Sequence, residues 1–230
     1  MKLLMHTCCA PCSIYCISYL REHNIEPVVY WYNPNIHPYK EYEARKNCLK
    51  EYANIINVKA IFEEEYGLDS FCKNVISNLN SRCVNYCYPV RLKKTFEYAK
   101  KHGYDTVTTT LLYSIYQQHD YIKQLMEQYS KEYKIDFLYR DFRIGFWKGH
   151  QKAHDLGLYM QKYCGCIFSS EEKIISTNTT NKKPKLPKGF EFLPAKRNVN
   201  IKKEKDNKEQ YMDLLLEADP SENMINEYLK

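Results

Sequence analysis

The sequence predicts an α/β protein built on a doubly wound, mostly parallel β-sheet. Short apolar or β-branched runs alternate along the chain with longer stretches of helical periodicity, which is the pattern of repeated βαβ units. The first run leads through a loop of small residues directly into a helical stretch. Only seven glycines occur in the chain and none lies in this loop, so the dinucleotide-binding and P-loop fingerprints are absent.

The first βαβ unit opens the chain. Residues 2–6 are apolar and end at the loop 7–11, after which Ser13 begins an amphipathic helix. Residues 27–32 are β-branched and aromatic, and they stop at an Asn-Pro turn. Because ligands of doubly wound sheets bind at the carboxyl ends of strands, the loop 7–11 is expected to belong to the functional site.

The later elements follow from the same patterns. Helical periodicity predicts helices at 39–56, 68–79, 89–102, 117–133 and 148–156. Runs rich in β-branched and aromatic residues predict strands at 60–62, 105–110 and 136–139. Gly103 and Gly157 follow two of these helices, at the position where glycine commonly ends a helix.

Two regions of different composition are predicted along the 230 residues. Residues 1–172 are expected to form the folded domain, and residues 173–230 a charge-segregated extension that is largely disordered, entered through a polar linker at 176–181. Residues 181–208 hold ten basic and three acidic residues, whereas residues 209–230 hold six acidic residues and one basic residue. The basic run is either a solvated tail or an arm that contacts phosphates.

The hydrophobic residues, 44% of the chain, are dispersed along the sequence. No run approaches the roughly 20 apolar residues that a membrane-spanning helix needs. The apolar run at the N-terminus is also shorter than the roughly 7–15 residues of a signal-peptide core. We therefore expect a cytoplasmic protein without a membrane partner.

Ten cysteines are the unusual feature of the composition. A cytoplasmic chain rarely keeps structural disulfides, so its cysteines are core residues, catalytic thiols or metal ligands. The three that lie within helical patterns are expected to be buried core residues: Cys16, Cys48 and Cys72. The other seven form three groups, which are Cys8, Cys9 and Cys12; Cys83 and Cys87; and Cys164 and Cys166.

Three chemistries can use such groups. Cys9 and Cys12 form a C-x-x-C at a helix start, which suits dithiol exchange, but that chemistry needs one pair and not three groups. Zinc binds four cysteines, although the adjacent Cys8 and Cys9 fit a zinc ribbon poorly. Iron–sulfur clusters take four thiolates from separated segments. A zinc-stabilised RNA-binding module and a C-x-x-C dithiol oxidoreductase therefore stand as alternatives to an iron–sulfur enzyme.

Several ordered motifs carry a resemblance to a known family. They are HTCCAPCS at 6–13, YNPNIHP at 32–38, Glu41 with Tyr42 and Arg45, RCVNYCY at 82–88, Arg91-Leu92, TTTL at 108–111, DFR at 141–143, Gly145-Phe146 and YCGCIFS at 163–169. In this combination the chain resembles the epoxyqueuosine reductases of the QueH family from residue 1 to about residue 172.

The resemblance implies a tRNA-modifying oxidoreductase. The family reduces epoxyqueuosine to queuosine at the wobble position of tRNA without cobalamin, and its substrate is tRNA with a GUN anticodon. Its fold resembles the adenine-nucleotide alpha hydrolase group. A [4Fe-4S] cluster, with an additional iron ion in one description, is the implied cofactor. An electron donor such as ferredoxin or flavodoxin is the expected partner.

The resemblance also carries over to single residues. Cys8, Cys9, Cys83 and Cys87 match the positions that hold the [4Fe-4S] cluster. Cys164 and Cys166 match a pair described either as redox-active thiols or as ligands of the extra iron, and Cys12 matches a position where relatives carry Asp, so it is a further candidate metal ligand. One departure is that three residues, not the usual two, separate Cys83 from Cys87.

Reduction of an epoxide needs a general acid to protonate the departing oxygen. Asp141, His119 and Tyr113 are the candidates. The alternatives are that Asp141 pairs with Arg143 or caps a turn, and that the other two are packing or surface residues.

Binding of an RNA loop requires cations for phosphates and ring faces for unpaired bases. The cations expected to do this border the cysteine groups or motifs: Arg82, Arg91, Arg143 and Lys162. The tyrosines expected to supply ring faces are Tyr32, Tyr86, Tyr88 and Tyr163, of which Tyr88 is the preferred candidate.

Overall fold

A five-stranded, fully parallel sheet forms the centre of the protein in the computed structural model, which describes residues 1–181. The strands are β1 (Leu3–His6), β2 (Val28–Trp31), β3 (Ala60–Phe62), β4 (Thr106–Thr109) and β5 (Asp136–Phe137). Their spatial order is β3-β2-β1-β4-β5. All eight residues of the two central strands, β1 and β4, are buried, as expected for parallel strands covered on both faces.

Seven α-helices accompany the sheet within residues 1–181. They are α1 (Ala10–Glu22), α2 (Tyr39–Ile55), α3 (Leu68–Val75), α4 (Tyr88–His102), α5 (His119–Tyr133), α6 (Phe146–Asp155) and α7 (Ile167–Asn181). Helix α1 packs against α2 and α6, whereas α4 packs against α5 and lies on β1 and β4. The predicted doubly wound α/β fold is thus confirmed.

Several element boundaries differ from the prediction, and helix α3, for example, ends at Val75 rather than at residue 79. Helix α1 begins at Ala10, earlier than the predicted Ser13, because Pro11 in its first turn has a backbone angle that suits a helix and lacks an N–H that would need a partner. Strand β5 ends at Phe137, because only Asp136 and Phe137 pair with β4.

The strand order reverses between β1 and β4, the point at which doubly wound sheets bind ligands. The last residues of the two strands, His6 and Thr109, lie side by side. Their side chains are joined by a contact of 2.9 Å between His6 Nδ1 and Thr109 Oγ1. The two loops that follow these strands therefore start from adjacent, rigidly held positions.

Helix α7 runs through the predicted domain boundary at residue 172, so residues 176–181 are helical and not a linker. The Ser176 and Thr177 hydroxyls donate to the Lys173 carbonyl, which satisfies these polar side chains within the helix. The rest of the predicted extension, 182–230, with its basic run, lies outside the described residues. None of the helices in residues 1–181 combines the length and apolar character of a membrane span.

Candidate active site

A cavity of about 470 Å³ lies beside the loops that follow β1 and β4. Cys8 and Cys12 line it from the β1–α1 segment, and Cys164 lines it from the segment before α7. Arg45 of α2 and Arg91 of α4 also reach this cavity. The fold therefore gathers thiols and guanidinium groups from distant parts of the chain into one enclosed space.

The first thiol cluster, which we define as Cys8, Cys9 and Cys12, is built by one short segment. The three sulfur atoms lie within 4.8 Å of one another, and the Cys8 and Cys9 sulfurs are 3.7 Å apart. Cys9 immediately precedes α1, and the loop is anchored to the end of β4 because the Cys8 N–H donates to the Thr110 hydroxyl at 3.2 Å. Cys9 and Cys12 are buried, whereas Cys8 is half-buried.

The proton affinities in this cluster are unequal. Hydrogen bonds from the Cys12 and Cys9 thiols lower the pKa of Cys8 well below its usual value, and the Thr110 hydroxyl acts in the same direction. Burial raises the pKa of Cys9, and hydrogen bonding to Cys8 raises that of Cys12. The cluster thus favours a thiolate on Cys8, which the two neutral thiols stabilise by hydrogen bonds.

The second thiol cluster, which we define as Cys83, Cys87 and Cys166, unites two segments. Cys83–Cys87 is a π-helical turn in which the Tyr88 N–H bonds to the Cys83 carbonyl. This wider turn accommodates the three residues between the two cysteines, because a π-turn is what an inserted residue produces in a helix. Cys166 packs in the same small apolar group as Cys87.

Charge and hydrogen bonding favour a thiolate in this cluster too. The Cys87 thiol donates to Cys83 and lowers the pKa of Cys83 to about 6, with help from the positive charges of Arg82 and Arg91. The same hydrogen bond raises the pKa of Cys87. Arg91 also donates to the Cys87 carbonyl at 2.6 Å and lines the cavity, which links the second cluster to it.

Cys164 and Cys166 occupy different surroundings although one glycine separates them. Cys164 is exposed in the cavity, where the Gln117 amide donates to its sulfur at 3.5 Å. Cys166 is 3% exposed. Gly165 between them has a φ of +151°, a value that favours glycine, and this backbone turns the two thiols toward different environments.

A buried ion pair holds the loop that carries these two cysteines. Arg45 Nε donates to Glu41 at 2.7 Å, and its other two nitrogens donate to the carbonyls of Tyr163 and Cys164 at 2.9 and 3.0 Å. Glu41 also accepts a hydrogen bond from the Tyr159 hydroxyl. Glu41 and Arg45 belong to a motif quoted for the family resemblance, but no role was predicted for the pair they form, which has the acid–base spacing of four residues within a helix.

Two of the predicted general acids lie away from the cavity. Asp141 receives two hydrogen bonds from the Arg143 side chain, at 2.9 and 2.6 Å, and caps the short turn that follows, which is the alternative interpretation given above. These bonds lower the pKa of Asp141. His119 is buried against Tyr139, and burial lowers its pKa. Neither residue lines the cavity.

The third candidate acid does line the cavity. The Tyr113 hydroxyl donates to the Phe146 carbonyl at 2.7 Å, and burial raises the pKa of Tyr113. This hydroxyl therefore stays protonated at neutral pH.

The predicted substrate-binding residues are dispersed. Lys162 is exposed and lines the cavity. Arg82 is bonded to Glu172 at 2.5 Å, and Arg143 is bonded to Asp141, so both cations already have anionic partners. Tyr88 is 2% exposed and its hydroxyl donates to Gln117, so its ring is not open to a base.

Four aromatic residues at the cavity were missed by the sequence analysis. They are Tyr116, Phe146, Trp147 and His150. Their segments, the turn after β4 and the start of α6, lie apart in the sequence and contain no cysteine. Only Phe146 fell in a quoted motif, so no sequence signal pointed to them as a group.

Comparisons with known proteins place the chain in a family. The sequence model of the family described as "Epoxyqueuosine reductase QueH" matches residues 3–172. A curated protein of that name from Dehalococcoides mccartyi is 35% identical over 178 residues, which cover 77% of this chain and 97% of that protein. The protein of the same name from Thermotoga maritima is 30% identical over 74% of this chain and 91% of its own length.

A solved structure overlaps the fold more loosely. It is the U34-tRNA thiolase NcsA from Methanococcus maripaludis with its [4Fe-4S] cluster, at a TM-score of 0.47 and 14% identity, over 80% of this chain and 67% of that one. An overlap of this size bears on neither the site nor the reaction. The family match and the identities over most of the relatives' length confirm the resemblance, and the chain belongs to the epoxyqueuosine reductase QueH family.

Proposed function

We propose that this chain reduces epoxyqueuosine to queuosine at the wobble position of tRNA, in the cavity beside β1 and β4. The observation that carries the proposal is the convergence of the three thiols of the first cluster within 4.8 Å, in a segment that shares a cavity with Cys164. The predicted enzyme class, an oxidoreductase, is confirmed by the family.

The donor set fits a [4Fe-4S] cluster. Thiolates are the ligands such clusters take, and both thiol clusters favour a thiolate, on Cys8 and on Cys83. We propose Cys8, Cys9, Cys83 and Cys87 as its ligands. Cys12, Cys164 and Cys166 then remain available to bind an additional iron ion. Alternatively, Cys164 and Cys166 act as a redox dithiol. When bound, the cluster would supply single electrons to the reaction.

The overall reaction needs an external reductant. Converting the epoxide to an alkene breaks two C–O bonds and consumes two electrons and two protons, and the oxygen leaves as water. Side chains other than a dithiol cannot supply the electrons. A one-electron donor of the ferredoxin or flavodoxin class, used twice per turnover, balances the reaction.

The chain's own residues hold protons and charge at the cavity. Of the three predicted acids Tyr113 alone lines the cavity, so its hydroxyl is the candidate acid for the departing oxygen. The buried guanidinium groups of Arg45 and Arg91 provide positive charge beside the thiolates. Lys162 is positioned at the same cavity to contact a tRNA phosphate. These roles fit a cytoplasmic enzyme that meets mature tRNA.

The proposal is tested by nucleoside analysis of tRNA. A bacterial strain that lacks any epoxyqueuosine reductase accumulates epoxyqueuosine, and expression of this chain should convert it to queuosine. Protein purified without oxygen should contain iron and sulfide. Unchanged epoxyqueuosine, with the protein folded and loaded, would exclude the function.

The alternatives predict other outcomes. A zinc-stabilised RNA-binding module would contain stoichiometric zinc and no sulfide. A C-x-x-C oxidoreductase would need Cys9 and Cys12 but not Cys83.

A further inference from the structure

One side of the cavity mouth carries exposed aromatic rings. We call Tyr116, Phe146, Trp147 and His150 the aromatic rim. Phe146 is buried at its centre, and the rings of Tyr116 and Trp147 meet it edge-on, with centroids 5.8 and 5.0 Å away. Tyr116 is 77% exposed and Trp147 is 48% exposed, so large parts of both rings are open to a ligand.

The charged side chains that line the cavity are all positive. Of the described residues that line it, none is acidic, and four are cations. Arg45 and Arg91 are buried among the thiols, whereas Lys162 and Lys173 are exposed. A surface that combines open rings with exposed lysines suits a ligand with flat apolar faces and a repeated negative charge.

The size of the cavity limits how much of such a ligand it can enclose. A volume of about 470 Å³ lies in the range of pockets that bury one small molecule. It therefore admits a single modified nucleoside and not an RNA loop. The nucleotides on either side of that nucleoside must lie at the open side of the cavity, which the exposed rings of the aromatic rim and the two lysines line.

We propose that the aromatic rim binds the unpaired nucleotides next to the one in the cavity, with Tyr116 and Trp147 stacking on bases and Lys162 and Lys173 contacting phosphates. Single-stranded RNA is recognised in this way because each base has a face that can stack on an aromatic ring. The identity of this RNA as a tRNA anticodon loop rests on the proposed function.

The chain provides its own reporter for this contact. It has two tryptophans, and Trp31 is fully buried in β2 whereas Trp147 belongs to the rim. The tryptophan fluorescence of the full-length protein should therefore be quenched when an anticodon stem-loop RNA is added. A fully paired RNA duplex of the same charge, whose bases are already stacked, should quench it much less.

Substitutions separate stacking from charge. Trp147→Ala and Tyr116→Ala should each weaken stem-loop binding about tenfold, the size expected for the loss of one base stack. Tyr116→Phe should bind nearly as well as the unchanged protein. Lys162→Ala should instead reduce the slope of log affinity against log salt by about 0.7, the value for one phosphate contact on a single strand. Tyr39→Ala, which removes a ring that is 50% exposed and does not line the cavity, is the matched control and should bind normally.

The outcomes distinguish this proposal from the proposed function. If the protein reduces epoxyqueuosine in tRNA but Trp147→Ala and Tyr116→Ala bind stem-loop RNA like the Tyr39→Ala control, the rim is not the RNA site. If the protein quenches with stem-loop RNA as expected but leaves epoxyqueuosine unreduced, the rim proposal stands and the proposed function fails. Equal quenching by stem-loop and duplex also overturns the rim proposal, as does specific binding of a polypeptide there with no binding of RNA.

Discussion

The two thiol clusters are built in opposite ways. The first places Cys8, Cys9 and Cys12 within five consecutive residues that run from the loop after β1 into the first turn of α1. The second joins a π-helical turn to a cysteine in a distant segment. Backbone elements of the sheet hold the first cluster, whereas side-chain hydrogen bonds hold the segment that completes the second.

This difference indicates where each cluster is vulnerable. The first cluster persists as long as β1 and α1 form, because its geometry is local. The second depends on Arg45, which bonds the backbone of the Cys164 segment, and on Arg82, which bonds Glu172 in α7. Loss of either arginine is expected to loosen the second cluster and to spare the first.

The largest expected effect follows from removing the thiolate of the first cluster. Cys8→Ala should abolish iron–sulfur incorporation and lower reductase activity by more than about 100-fold, because loss of a ligand exceeds the effect of losing an outer-shell group. Iron, sulfide and turnover assays measure this. The matched control is Cys48→Ala, which replaces a buried cysteine of α2 outside both clusters. Normal iron and sulfide in Cys8→Ala would contradict the ligand assignment.

The next effect concerns the anchor of the second cluster. Arg45→Leu leaves Glu41 buried without its partner and should destabilise the fold by about 3–5 kcal/mol. In this variant the rate of alkylation of Cys166, measured by mass spectrometry, should rise more than the rate of alkylation of Cys9.

Arg21→Leu is the control, since it breaks an exposed pair with Glu26 and should cost less than about 1 kcal/mol. Equal acceleration at Cys9 and Cys166 in Arg45→Leu would indicate general unfolding and contradict the anchoring role.

A smaller effect is a pH dependence of the folding stability, which we attribute to a histidine near the second cluster. The His37 ring is buried against Phe71, the His37 backbone N–H donates to the Gly165 carbonyl, and burial lowers the pKa of the ring to about 4. Since the unfolded chain binds this proton more readily, the stabilising effect of neutral His37 is complete above pH 6.5 and is lost as pH falls toward 4. The loss should be of the order of 2 kcal/mol.

Denaturant unfolding of the unchanged protein and of His37→Phe across this pH range measures the effect. The phenyl ring cannot take up a proton, so the stability of the variant should fall less steeply between pH 6.5 and 4. Identical slopes for the two proteins would rule out His37 as the origin of the acid sensitivity.

The smallest effect is expected for the ion pair between Arg82 and Glu172, the second anchor of the second thiol cluster. Glu172→Gln removes the negative partner of Arg82, but Glu172 is largely exposed, so the change in unfolding free energy should stay within about 1 kcal/mol. Thermal unfolding detects it. A loss comparable to that of Arg45→Leu would show that both anchors of the second cluster matter equally.

Much of the fold was accessible from local patterns. The strands at 2–6, 27–32, 60–62 and 105–110 were predicted close to their observed positions, because each is a short buried run between clear turn signals. Helix α7 was not predicted at all, because its C-terminal polar residues resemble a linker and its hydroxyls are satisfied only once the helix exists.

The candidate site, too, was predictable only where its residues lie close together in the sequence. Cys8, Cys9 and Cys12 could be grouped from their spacing, whereas nothing in the sequence separated the exposed Cys164 from the buried Cys166. Asp141 and His119 were reasonable candidate acids by residue type, but Asp141 is engaged by Arg143 and neither reaches the cavity.

By itself, the sequence determined the order of strands and helices, the family and the thiols of the first cluster, because each of these is encoded in consecutive residues. The tertiary structure alone decided which distant groups share the cavity. It brought Arg45, Tyr116 and Trp147 to the thiols through the packing of α2, the β4 loop and α6 against α1. Such proximity depends on how elements pack in space, and no local pattern of residue types records it.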